Sequence, residues 1–319
     1  MKDSLICYSV GALLYCPANN KSVTDSIINN NFGDKYSLAL CLEDTIKDEY
    51  VKEAEDILID SINKIYNEIK IKDFYLPMIF IRVRNSQQIT TLADRLGESR
   101  DIIIGFILPK FDQYSGNKFI SSALEVNRLY NKTFYIMPIL ESKTVINLLD
   151  RYNNLYQIKE MLDKVEDIVL NVRVGGNDLC HNFGFRRSSY ETIHNIRPIG
   201  NLLADILTVF GMNYVVSGPV WEYYNGEHWY EGLVNEVKAD RLCGFVGKTV
   251  IHPNQIKAIN EVYKVSKKDY EDAKAIVNWD KDSHSLVLGS ADKERMNEYK
   301  THYNWANKIL MLAEAYGVE

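Results

Sequence analysis

Ser37-Leu-Ala-Leu-Cys-Leu-Glu-Asp44, with the stretch from Glu49 to Ile69 that follows it, decides how this chain folds. The first part is a short apolar run that ends abruptly in two carboxylates. In the second, Val51, Ala54, Ile57, Leu58, Ile62 and Ile65 recur at helical spacing. A strand apolar on both faces and followed by an amphipathic helix reads as one parallel β/α unit. The same alternation continues outward in both directions. Strand candidates are Ala12 to Cys16, Ser37 to Leu42, Met78 to Val83, Ile102 to Leu108, Thr133 to Leu140, Ile168 to Val174, Asn213 to Val216 and Gly247 to Ile251. Eight strands joined by right-handed crossovers favour a closed (β/α)8 TIM barrel over an open doubly wound sheet. No G-x-G-x-x-G follows the first run and no G-x-x-x-x-G-K-[ST] occurs, which counts against a nucleotide-binding open sheet.

The 319 residues, 46% apolar and 25% charged, suit one barrel of about 250 residues plus an appendage. The expected division is a barrel over 1–262 and a helical C-terminal extension over 263–319. In the latter, Lys267 to Trp279 and Lys293 to Ala315 read as helices and Lys281 to Leu288 as a loop. The charge of −6 and the lack of a basic cluster argue against nucleic acid and anionic membranes as partners. Five scattered cysteines without a C-x-x-C pair indicate neither a disulfide framework nor a thiolate zinc site, and point to a reducing cytoplasm. Leu5 to Cys16 is apolar enough to imitate a leader peptide, but Asp3, Tyr15 and Pro17 favour a first buried strand.

In such a barrel the reacting groups stand at the carboxyl ends of the strands. There the chain carries Glu43 and Asp44, Arg82 and Arg84, Lys110, Glu141, and Gly175-Gly176-Asn177-Asp178. Carboxylates at three strand ends with cations between them make an oxygen-rich site suited to a hard divalent ion; zinc would call for histidine or cysteine. Each residue also has a plainer reading. Glu43, Asp44 and Glu141 could begin helices, Asp178 could form an Asx turn, and Lys110 could lie along the surface. Arg82, inside an apolar strand, needs an anionic partner in either case. Trp221, Tyr223, Tyr224, Trp229 and Tyr230 read as a lid or as a packed loop. Arg186 and Arg187 read as an anion grip or as a solvated pair.

Taken together, Leu-Tyr-Cys-Pro-Ala-Asn (14–19), Leu-Glu-Asp (42–44), Ile-Arg-Val-Arg (81–84), Leu-Pro-Lys (108–110), Ile-Leu-Glu-Ser (139–142), Gly-Gly-Asn-Asp-Leu (175–179), Ser-Gly-Pro (217–219) and Gly-Lys-Thr-Val-Ile-His-Pro-Asn-Gln-Ile (247–256) resemble the HpcH/HpaI aldolase and citrate lyase β-subunit superfamily. Within it, the Gly-Gly-Asn-Asp-Leu block and the Phe-Arg-Arg after it resemble the carbon–carbon bond lyases associated with tellurium-resistance and stress operons. The resemblance implies a metal-dependent lyase or aldolase acting through an enolate on an oxo-acid or acyl thioester. By motif, Glu141 and Asp178 match the ligands of Mg²⁺, or Mn²⁺, and Arg82 matches the arginine that holds the oxo-acid. Glu43 and Asp44 match acids that order metal-bound water. Lys110, Arg84 and Arg186 are the further substrate-binding candidates. Gly289-Ser290-Ala291-Asp292-Lys293 matches a family segment whose acid, here Asp292, acts in a neighbouring subunit, which implies a homo-oligomer, expected to be a trimer. Its plainer role is a cap on the last helix. The family's Pro-Gly and arginine after the first strand are replaced by Pro17-Ala18-Asn19-Asn20-Lys21, which bears against coenzyme A as carrier. A malyl-type thioester hydrolase and a non-catalytic metabolite-binding subunit are the competing functions.

Overall fold

The structure, a computed structural model, describes residues 4–279 and 285–319. Eight strands, β1 (Ala12–Pro17), β2 (Tyr36–Cys41), β3 (Met78–Arg82), β4 (Ile103–Leu108), β5 (Tyr135–Leu140), β6 (Val172–Val174), β7 (Val216–Ser217) and β8 (Lys248–Val250), alternate with helices. Each pairs in parallel with its sequence neighbour, and β8 returns to β1. The remaining gap closes through a Gly218–Lys248 bridge and the bond from Val246 N–H to Val216 O at 2.8 Å. This is a TIM barrel. Helices seal it from outside: Val51–Glu68 turns Ala54, Leu58, Ile62 and Ile65 inward, each leucine or isoleucine worth about 1.5–3 kcal/mol of burial. Among the described residues no helix is long and apolar enough to cross a membrane.

Two expectations about the ends are corrected. Leu5 to Cys16 is not one strand, because Leu5–Ser9 is a short helix and Gly11, at φ +58°, turns the chain into β1. Nor does the last helix start at Lys293. An antiparallel hairpin, β9 (Val287–Gly289) and β10 (Met296–Glu298), precedes helix Tyr299–Tyr316. Arg295 Nε and Asn297 Nδ2 both donate to the buried Asp272 carboxylate, at 2.6 and 3.0 Å, and this tertiary tie overrides the local helical pattern. Of the expected Lys281 to Leu288 loop, Val287 and Leu288 are strand, and 281–284 lie outside the described residues.

The last helix buries Ile309, Leu312, Ala313 and Tyr316 within its own chain. Their helix packs on Leu5–Ser9, Asn254–Tyr263 and Lys267–Val277, and Tyr316 stacks on Tyr263 at 5.1 Å. A second internal fixture is a buried charge network. Lys248 Nζ meets Glu236 at 2.9 Å and Asp240 at 2.6 Å, and Arg187 Nε meets Glu236 at 2.9 Å. Every cation in it has its carboxylate.

Candidate active site

The carboxyl ends of the strands surround a cavity of about 450 Å³. Arg82, at the end of β3 and 7% exposed, is its organising cation. Its Nη2 lies 2.8 Å from Glu43, 2.9 Å from Asp44 and 3.3 Å from Glu141, and its Nε has no partner among the described residues. Lys110 Nζ reaches Glu43 at 2.6 Å and Asp44 at 3.1 Å. Its backbone, at φ +48°, presents the N–H to Glu141 Oε1 at 2.9 Å. Asp178 stands on the first turn of helix Gly176–Asn182, across the cavity wall from Glu141. The carboxylate of Glu141 sits against Gly175, where an added Cβ would meet Oε2 at 2.1 Å, so only glycine fits.

Three cations (Arg82, Lys110 and, in the wall, Arg173) facing four carboxylates (Glu43, Asp44, Glu141, Asp178) leave a surplus of one negative charge at the site. Protonation responds to it. Burial pushes the Glu141 carboxyl up to about 7, with Asp178 adding to the shift and Arg82 opposing it. Glu43 is raised as well, by burial and then by its hydrogen bond with Asp44. Burial works against the Asp44 charge too, but the hydrogen bond from Glu43 and the charges of Arg82 and Lys110 hold Asp44 at about 2.

Among the described residues no three His, Cys, Asp or Glu side chains form a metal cage. Glu141 and Asp178 offer instead two hard oxygen donors beside open space. That donor set fits Mg²⁺, which takes one or two carboxylates and fills its remaining positions with water and substrate oxygens.

Thus the fold gathers Arg82, Glu43, Asp44, Lys110, Glu141 and Asp178. It does not gather the others. Arg84 lies two residues beyond Arg82, where β3 pairing ends, and its Nη1 donates to the carbonyls of Leu42, Glu43 and Ile46 at 3.1, 3.2 and 2.9 Å. It ties the loop that carries Glu43 and, against the expectation of substrate binding, does not line the cavity. Arg186 is solvated, 3.5 Å from Glu222 and outside the cavity wall, while the buried member of that pair is Arg187. Asp292 caps the hairpin turn of its own chain through Ser290 Oγ and pairs with Lys268 at 2.7 Å. Trp221 is fully buried, and Gln255 Nε2 ties the carbonyls of Trp221 and Tyr223 at 3.0 and 2.9 Å, so this part of the aromatic stretch is packed loop. Tyr15, Arg173 and Thr249 line the cavity and were missed. Arg173 was readable by the rule applied to Arg82, a guanidinium inside an apolar strand; Tyr15 looked like any core aromatic.

A family model described as a carbon–carbon bond lyase of the TIM-barrel fold matches residues 4–318. No curated protein matches the sequence. Among solved structures, a citrate lyase from Burkholderia xenovorans LB400 superposes with TM-score 0.72 at 12% identity, over 97% of this chain and 93% of that one. The protein CitE from Mycobacterium tuberculosis, in complex with magnesium, acetoacetate and coenzyme A, superposes with TM-score 0.60 at 16% identity, over 97% and 99%. The citrate lyase β-subunit from the same organism, complexed with oxaloacetate and magnesium, gives 0.53 at 16% identity, over 82% and 99%. Identities this low carry the fold.

Proposed function

The chain belongs to the family of carbon–carbon bond lyases of the TIM-barrel fold, and from that premise we propose that it makes or breaks a carbon–carbon bond beside the carbonyl of an oxo-acid or acyl thioester, with Mg²⁺ held by Glu141 and Asp178. The observation that carries this reading is the surplus of negative charge at the site, next to one guanidinium with a free N–H. Mg²⁺ there would act as a Lewis acid on the substrate's oxygens. Arg82 Nε donates to the carbonyl oxygen as charge builds on it, in a site that needs no reorganisation. Glu43 and Asp44 fix Arg82 from behind, and Lys110 keeps the pair from repelling. The bound magnesium, oxaloacetate and coenzyme A of the structural neighbours agree with this class of ligand. Five free cysteines among the described residues suit the reducing cytoplasm proposed as its compartment.

The test is calorimetric titration with Mg²⁺, followed by oxo-acids and acyl thioesters assayed for a changed carbon skeleton. Thiol release with the skeleton intact would instead make it a thioester hydrolase, and binding without turnover across the panel a metabolite-binding subunit.

The Glu141 shift sets a pH dependence. An acid whose folded value lies near 7 rather than at the ordinary 4.5 holds its proton more tightly when folded. In the metal-free protein its contribution to stability therefore becomes unfavourable as pH rises from 4.5 through 7, and is constant above that. Mg²⁺ needs the ionised form. Its apparent affinity should drop about tenfold per pH unit below 7, and its thermal stabilisation should be far larger at pH 8 than at pH 5.5. Equal stabilisation at both values would contradict the assignment.

We further propose that Asp292 serves the site of a neighbouring copy in a homotrimer. Leu286, Val287, Leu288 and Met296 on its hairpin are 42–54% exposed, an apolar face that a second copy would cover. Co-expressing inactive Asp292→Asn with inactive Glu141→Gln should restore part of the activity. No recovery in proven mixed oligomers rejects the idea.

A further inference from the structure

A second cavity, of about 950 Å³, lies outside the barrel among helices Trp229–Cys243, Asn254–Tyr263 and Tyr299–Tyr316, and it shares no wall residue with the first. Its size is that of a small-molecule site. Two cations stand in its wall without a carboxylate. Lys308 Nζ donates to Gly244 O at 2.9 Å, and Arg241 donates through Nη1 to Val262 O and Lys264 O at 2.7 and 2.9 Å. The acids of the same wall are engaged elsewhere or out of reach. Lys264 holds Glu261 at 2.8 Å, Arg295 holds Asp269 at 2.7 Å, and Glu319 comes within ion-pair distance of neither cation. The carbonyls that Lys308 and Arg241 do reach belong to the ends of two helices, each of which offers about half a negative charge. Capping therefore leaves about one positive charge over. Burial lowers the Lys308 ammonium below its ordinary value and the charge of Arg241 lowers it further, so the two cations act on each other across the wall.

Apolar side chains fill much of the remaining wall. Phe245, Ile309 and Leu312 are at most 7% exposed, whereas Leu242 and Tyr230, which also line the cavity, are 89% and 48% exposed and carry the apolar surface outward. We propose that this cavity binds an acyl carboxylate, with its head at Arg241 and Lys308 and its chain along Phe245, Ile309 and Leu312 toward Leu242. An inorganic anion would satisfy the cations but leave the apolar wall wet. A polyphosphate would bring more negative charge than the cations offset, into a wall that also holds Glu261 and Glu319. One carboxylate on an apolar chain answers both halves of the cavity. The site lies apart from Glu141 and Asp178 and stands whether or not the lyase reading does.

The experiment is calorimetry with submicellar dodecanoate, octanoate, inorganic phosphate, ATP and dodecyltrimethylammonium, on wild type, Lys308→Met, Leu242→Glu and Arg173→Met. Wild type should bind dodecanoate about tenfold or more tighter than octanoate, because the longer chain buries more methylenes, and tighter still relative to phosphate. Lys308→Met keeps the bulk of the side chain and removes its charge, so it should weaken dodecanoate about tenfold or more. Leu242→Glu, at an exposed position that the fold does not depend on, should weaken it several-fold by placing a carboxylate at the mouth. Arg173→Met, in the other cavity, should bind as wild type does. Dodecanoate binding that is lost in Arg173→Met and kept in Lys308→Met would put the carboxylate inside the barrel and overturn the inference. Equal binding of dodecyltrimethylammonium, the mark of a merely apolar surface, overturns it as well, and so does tighter binding of ATP, the mark of a nucleotide site. Unchanged dodecanoate binding in both Lys308→Met and Leu242→Glu would leave Lys308 a helix cap and nothing more.

Discussion

Glu141→Gln should abolish Mg²⁺ binding and turnover together while leaving the barrel folded. The glutamine keeps the shape and one carbonyl oxygen, so it can still accept the Lys110 N–H now bonded to Oε1 at 2.9 Å. What it removes is the charge. A neutral amide in place of one of two carboxylates weakens Mg²⁺, and a loss of about 100-fold or more is expected, since even residues that only support a metal ligand cost 10–100-fold. In the metal-free state the substitution should be neutral or stabilising at pH 8, because it relieves a buried carboxylate whose ionisation burial already opposes. Calorimetry and thermal melting separate the two effects. A Glu141→Gln, Asp178→Asn protein that binds Mg²⁺ as wild type does would move the metal elsewhere.

How much of this was legible beforehand depended on whether the deciding force was local. Runs such as Ile103–Leu108 are strands because every residue is apolar and the chain leaves no other way to bury them, and that shows in the sequence. The residues at their ends could be named for the same reason: a carboxylate after such a run stands where a core would not place it. Leu5–Ser9 went wrong because a short apolar helix and a strand look alike, and the one deciding signal was Gly11. The hairpin at Val287–Glu298 was unreadable because its anchor, Asp272, lies on a helix far back in the chain. Arg84 was named as a cation at a strand end, but strand pairing ends at Arg82 and the Arg84 side chain turns back to the carbonyls of Leu42, Glu43 and Ile46. Membership of the cavity wall by Tyr15 and Thr249 follows from barrel closure, a property of all eight strands at once.

Arg82→Lys should cost about 100- to 1,000-fold in turnover, comparable to removing one preorganised donor from a site of developing negative charge. The charge is conserved, so the three carboxylates at 2.8–3.3 Å keep a cation among them and the fold should survive. The geometry is not conserved. One Arg82 nitrogen already serves Glu43, Asp44 and Glu141, and the planar group can do this while aiming Nε elsewhere. A lysine has a single nitrogen, which three carboxylates would claim, leaving no donor for substrate. Mg²⁺ affinity should therefore stay near wild type while pyruvate binding and turnover collapse. The reverse pattern, normal turnover in the folded fraction of an unstable protein, would make Arg82 a structural ion-pair partner. Arg82→Met gives the control: with its cation gone, the crowded carboxylates repel, so this variant should unfold at neutral pH and regain stability either with Mg²⁺ or as Glu43 and Glu141, both already raised by burial, take up protons.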